Sequence, residues 1–189
     1  MSQLILTPEH EYYIGGRRLR GVTSVLDECG YISDFAKSNP RRTEEGLVAH
    51  ACCALLAQGK LDWSEVDHAV LGYVLSYAKL LEHTAWVVTA VETRLADERL
   101  GYAGTFDLCT ELRLADLKTG PAQKYHAMQL GAYWHLAGER HKCAGIYLQA
   151  DGSIAKIKEY NGREGYKDFL VCLNFLNTKE RYANGSTRN

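Results

Sequence analysis

Apolar positions recur along the chain at two spacings, and the spacing changes where the architecture should change. Val48, Cys52, Leu55 and Leu56 fall on one helical stripe, which predicts a helix from Thr43 to about Gln58 stopped by Gly59. Ala69, Val70, Tyr73, Val74, Tyr77 and Leu81 form a second stripe, and Ser64-Glu65-Val66-Asp67 reads as the capping box that opens it. Elsewhere the apolar residues come in short runs bounded by turn residues. Glu11–Ile14 and Arg17–Val22 read as a hairpin about Gly15-Gly16, with Thr23 and Ser24 as caps of a short helix through Leu26. Tyr31 to Arg42 reads as irregular, with Pro40 as a breaker. Trp86–Leu95, Gly101–Cys109 and Leu112–Lys118 read as three consecutive strands. A helix over Ala122–Leu136, strands over Lys142–Leu148 and Ile154–Tyr160, and a helix over Arg163–Leu176 complete the order. That order predicts an α/β fold with a mixed central β-sheet flanked by helices.

Length and composition fit one domain spanning 1–189. Residues 1–42 would form an N-terminal extension of hairpin and short helix, and 183–189 a frayed tail. The chain is 46% hydrophobic and 24% charged, enough for a sizeable core. A net charge of −1 argues against a protein that coats nucleic acid non-specifically, but not against an enzyme with a local basic path. No pair among the 6 cysteines has the CxxC spacing of a zinc or redox site, so reduced, buried thiols are expected. No apolar run reaches the length of a membrane span and no signal peptide is visible, so the expected location is the cytoplasm.

The chemistry concentrates on the second and third of the three strands. Asp107 closes Gly104-Thr105-Phe106-Asp107, and Asp116-Leu117-Lys118 follows on the next strand. Alternation puts Asp116 and Lys118 on one face, and Asp107 can meet them from the neighbouring strand. Two carboxylates and a lysine gathered on one sheet face would be costly if merely buried. A divalent cation removes that cost, and carboxylate oxygens suit Mg²⁺ or Mn²⁺. Such an ion can polarise a phosphate and lower the pKa of water, while a lysine stabilises developing negative charge. The pattern points to phosphodiester hydrolysis.

Asp107 with Asp116-Leu117-Lys118 resembles the core of the PD-(D/E)XK nuclease superfamily. Gly46-Leu47-Val48-Ala49-His50, Glu92 on the strand before the aspartate hairpin, and Gln129-Leu130-Gly131-Ala132-Tyr133 resemble its RecB-like exonuclease branch. The matched region runs from His50 to Tyr133. Phe106 stands where the superfamily's proline would be, and the second acid is Asp rather than Glu. The resemblance implies a restriction-endonuclease-like core. It implies one or two Mg²⁺ or Mn²⁺ ions bound by His50, Asp107, Asp116 and the main chain of Leu117. It makes Lys118 the catalytic lysine, sets Glu92 at the edge of the site, and has Gln129 and Tyr133 touch the DNA backbone. Four-cysteine iron–sulfur relatives have three cysteines close together near the C-terminus; here only Cys172 lies there, so no iron–sulfur cluster is expected.

Each residue also has a plainer reading. His50 could be a hydrogen-bonded helix histidine, Glu92 a solvated strand residue, Gln129 surface polar, Tyr133 core aromatic, and Asp116–Lys118 a surface ion pair. Arg17, Arg18, Arg20, Arg41 and Arg42, continued by Lys124 and Tyr125, could form a path for single-stranded DNA or could be scattered solvated charge. His126, three residues before Gln129, is a candidate neighbour of the site. The expected function is a metal-dependent DNA exonuclease acting on single strands or duplex ends in recombination, repair or phage DNA processing, in a bacterial or phage-infected cell. A recombination or single-strand-binding protein is a conceivable partner. A structure-selective endonuclease of the same fold and a non-catalytic DNA-binding module are the alternatives.

Overall fold

The computed structural model describes residues 3–32 and 40–185. The elements in chain order are β1 (Leu4–Leu6), β2 (Tyr12–Ile14), β3 (Arg17–Gly21), α1 (Val22–Glu28), α2 (Pro40–Ala57), a 3₁₀ turn (Trp63–Glu65), α3 (His68–Thr84), β4 (Val88–Asp97), β5 (Tyr102–Thr110), β6 (Arg113–Lys118), α4 (Tyr125–Leu136), β7 (Lys142–Tyr147), β8 (Lys156–Tyr160) and α5 (Gly162–Gly185). The strands form one mixed sheet in the order β1-β2-β3-β5-β6-β7-β8, with β4 paired to β5. The β3–β5 and β6–β7 pairs are parallel and the others antiparallel. The α/β class and the mixed sheet flanked by helices are therefore as the periodicity indicates.

Two apolar cores cover the two faces. Val22, Val25 and Leu26 of α1, Met128 and Leu130 of α4, and Phe169 and Leu173 of α5 pack together with Tyr102, Phe106, Cys109 and Leu114. On the other side Cys53 of α2 and Tyr77 and Leu80 of α3 pack against Leu108, Ala115, Leu117, Ala144 and Ile146. Phe106 and Leu108 are two residues apart yet belong to opposite cores. Side chains two apart on a regular strand share a face, so β5 turns over at the intervening residue, Asp107.

Several boundaries differ from expectation. Pro40 is not a breaker but the first residue of α2, where a missing N–H costs nothing; residues 33–39 of the expected irregular stretch lie outside the described residues. Neither Thr23 nor Ser24 caps α1; Gly21 does, with no side-chain bond. The Ser64 box is replaced by two aspartates. Asp62 accepts from the Ser64 amide to start the 3₁₀ turn, and Asp67 accepts from Ala69 to start α3. Strand β1 had no signal in the pattern, and α5 runs well past Leu176.

One topological detail positions the site. On one edge β5 pairs with β4 throughout. On its other edge it meets β3 only at Tyr102 and Ala103, and β6 only at Leu108 and Cys109. Between Ala103 and Leu108 that edge has no strand partner, and the sheet is open there.

Candidate active site

Polar side chains collect in that opening. Asp107 projects from β5, and its Oδ2 accepts the Leu117 amide at 2.6 Å, taking the place a main-chain carbonyl would fill. Its Oδ1 lies 3.3 Å from His50 Nδ1 on α2. Asp116 of β6 is ion-paired with Lys118, and the Lys118 ammonium also donates to Gln129 Oε1 at 2.9 Å. Gln129 Nε2 donates to the Tyr133 hydroxyl at 3.1 Å, so the i, i+4 pair on α4 points inward as one unit. Asp116 is 3% exposed and Asp107 9%, so this is not a surface ion pair.

Glycines let these elements approach. Any Cβ at Gly104 would sit 2.5 Å from the Tyr133 ring, so the ring occupies the space that glycine leaves. Gly46 lies one helical turn before His50, and a Cβ there would touch Thr119 Oγ1 at 3.4 Å, which brings α2 up to the residue after Lys118.

The charges shape one another. Burial pushes the Asp107 carboxyl up, but His50, Lys118 and the Leu117 amide outweigh it and hold it below the usual range. Burial, reinforced by Asp107, holds Asp116 above that range despite Lys118. Burial would lower Lys118, but Asp116 and Asp107 hold it up, so it is a fixed ammonium. Burial would likewise lower His50, and Asp107 raises it. Glu92 is open to solvent at the mouth of the site. Partial enclosure, then the charges of Asp107 and Asp116, push its carboxyl up to about 7. Its φ of 46° is left-handed, a strained conformation for a non-glycine residue in mid-strand.

Among the described residues, no three His, Cys, Asp or Glu groups converge as a ready metal cage. The donor set nevertheless fits a hard divalent cation. His50 Nδ1 and Asp107 Oδ1 stand 3.3 Å apart, near the ~3 Å separation of adjacent ligands on an ion with 2.0–2.1 Å bonds. Asp116 Oδ2 is buried against the Lys118 ammonium, with His50 adding positive charge nearby. Two carboxylates and an imidazole held close together form a donor set that a divalent cation could use.

Of the expected site residues, the opening gathers His50, Asp107, Asp116, Lys118, Gln129 and Tyr133, with Glu92 at its rim and Leu117 contributing its amide. Arg41 and Arg42 stand apart: Arg42 is 8 residues from His50, about 12 Å along α2. Arg41 is 84% exposed and pairs with Glu45. Lys124 is exposed just before α4. Each hairpin arginine has a local partner. Arg18 pairs with Glu11, Arg20 with Glu28 and Glu180, and Arg17 donates to the Glu98 carbonyl. His126 does border the site. It is buried, its Nδ1 is 2.9 Å from the Tyr147 hydroxyl, and burial, then Lys118 and Lys158, pull it down to about 3.

No protein-family model matches the chain, and no curated protein matches it in sequence. Solved structures do match in shape. A proposed exonuclease from Eubacterium rectale superposes with a TM-score of 0.59 over 88% of this chain and 82% of that one, at 13% identity. The two share a fold. It is the restriction-endonuclease-like fold that the resemblance to PD-(D/E)XK nucleases implied. The alkaline exonuclease LHK-Exo from Laribacter hongkongensis superposes at 0.47 (15% identity, 88% of this chain, 92% of that one), and its complex with dAMP at 0.43 (14%, 89% and 94%). Those scores are too low to place any residue.

Proposed function

We propose that the chain is a divalent-metal-dependent deoxyribonuclease that removes nucleotides from single strands or duplex ends. The supporting observation is the convergence of Asp107, Asp116 and Lys118 with His50 and Gln129 in the opening between β3 and β6. Buried charges of both signs are kept there at a cost that catalysis explains better than stability does.

Mg²⁺ or Mn²⁺ held by His50, Asp107, Asp116 and the Leu117 carbonyl would draw charge from a phosphate oxygen and acidify water. Lys118, ion-paired with Asp116 and hydrogen-bonded to Gln129, serves as a donor. It orients the attacking water and offsets the charge that builds on the phosphate oxygens. Water attacks phosphorus in line and releases a proton to solvent, the bond to the leaving sugar oxygen breaks, and that oxygen takes a proton from solvent. Gln129 fixes Lys118 and Tyr133 fixes Gln129, both from inside the fold. Glu92 adds negative charge that a cation would offset. Arg41, Arg42 and Lys124 would meet DNA phosphates farther out. A place in recombination, repair or phage DNA processing rests on the family resemblance.

The test is a nuclease assay in Mn²⁺ on end-labelled linear single strands beside circular ones. Loss of the linear strand with the circle intact is expected. Cutting of the circle would replace the exonuclease with an endonuclease, and no cleavage of either would contradict a nuclease.

A further inference from the structure

A groove of about 530 Å³ opens directly beyond Lys118, at the carboxyl ends of the parallel strands β6 and β7. Thr119 and Gly120 form one side, Lys156 and Lys158 of β8 another, and Tyr73 and Tyr147 supply aromatic surface. Crevices at the carboxyl ends of parallel strands are where α/β sheets hold ligands.

The register ties this groove to the site. Lys118, Tyr147 and Lys156 are cross-strand neighbours, and so are Asp116, Gly145 and Lys158. Paired residues share a face, so both lysines of β8 stand in the rows of the catalytic lysine and aspartate. The strand's acid, Glu159, faces the other way and pairs with Arg113. Edge strands often carry lysines only to block pairing with other chains. Here two further features go beyond that. The Tyr147 hydroxyl is fixed between His126 Nδ1 (2.9 Å) and Tyr160 (2.6 Å), and the groove it lines begins at Thr119, the residue after Lys118. Lys158 lies 5.1 Å over the Tyr160 ring, so its charge is held at the rim instead of swinging in solvent.

We infer that this groove holds the single strand of DNA flanking the scissile phosphate, with Lys156 and Lys158 on its phosphates and Tyr73 beside its bases. The inference rests on the nuclease reading and names the substrate as a strand, since a groove of this volume admits nucleotides one or two at a time and not a duplex. An accessible aromatic beside lysines is the chemistry that single strands use, by stacking and backbone attraction together.

The test reads binding without turnover. Anisotropy of a labelled oligodeoxynucleotide is measured in Ca²⁺ across a salt series, for wild type, Lys156→Gln/Lys158→Gln, and Lys167→Gln on α5 as control. The double variant should bind about tenfold more weakly, with a salt slope lower by about 1.4, or about 0.7 for each lost phosphate contact. Lys167→Gln should match wild type. Unchanged affinity and slope in the double variant, tighter binding of duplex or RNA than of single-stranded DNA, or no binding by wild type would each overturn it. Because no cleavage is read, failure of the nuclease assay and failure of this groove remain distinguishable.

Discussion

At the scale of single residues, Lys118 is the group around which the rest is arranged. Its ammonium is held between Asp116 and Gln129, and only Gln129 holds it without opposing its charge. Gln129→Ala should therefore lower kcat about 10- to 100-fold with little change in KM, because transition-state alignment is lost while binding is kept. Steady-state kinetics on a linear strand would show it; a rise in KM alone would mean that Gln129 only binds. Asp97 gives a prediction away from the site. Burial raises its carboxyl, but the Leu100 amide and His135 outweigh that and hold it below the usual value. A depressed folded-state pKa contributes stability above the unfolded value, lost as pH falls through the folded one. Asp97→Asn should cost about 1 kcal/mol at pH 7, a cost that fades only as pH falls below the ordinary carboxylate range, read by urea unfolding at pH 7 and in strong acid. Asp107, Asp116 and Lys118 were legible in the sequence because strand alternation and a short hairpin fix their relation. The role of His126 was not, because it depends on Tyr147 and Lys158 from strands distant in sequence. Nor was the left-handed backbone of Glu92, which lies at the point where β5 turns over beside it.

At the scale of elements, helix placement brings the α4 pair to the site. A Cβ at Gly131 would lie 2.1 Å from the Tyr166 amide, and one at Gly165 would lie 2.0 Å from the Ala127 carbonyl. The α4–α5 crossing thus rests on two facing glycines, and backbone cannot yield as a side-chain tip can. Gly131→Ala should destabilise the fold by about 2 kcal/mol or more, visible as a lowered urea midpoint. An unchanged midpoint would mean that α4 does not depend on this contact. Element types were readable from periodicity, since a stripe of period 3.6 and a run of period 2 are hard to confuse. Element starts were not. The aspartates that cap the 3₁₀ turn and α3 compete with a serine box of equal appearance, and only the extended Val66 between them decides. The opening between β3 and β6 was likewise invisible, because it depends on which strands pair and not on what each contains.

At the scale of the whole molecule, a net charge of −1 is compatible with the proposed nuclease because of where the charges sit. Arg18 and Arg20 of the hairpin are paired with glutamates, and the site concentrates acid that a cation would balance. No helix among the described residues is long and apolar enough to cross a membrane. Saturating Mn²⁺, at about 100 times its Kd, should stabilise the fold by about 2.7 kcal/mol and raise Tm by about 5–10 °C. Asp116→Asn should lose that shift; an equal shift in the variant would place the ion elsewhere. The most direct measurement of the central claim is release of nucleotides from a labelled single strand with Mn²⁺ or with EDTA, by wild type and Lys118→Ala. Release by wild type in Mn²⁺, none in EDTA, and a loss of about 10³-fold or more in Lys118→Ala is the expected result. Cleavage that persists in EDTA, or survives in Lys118→Ala, would contradict a metal-dependent nuclease centred on Asp107, Asp116 and Lys118.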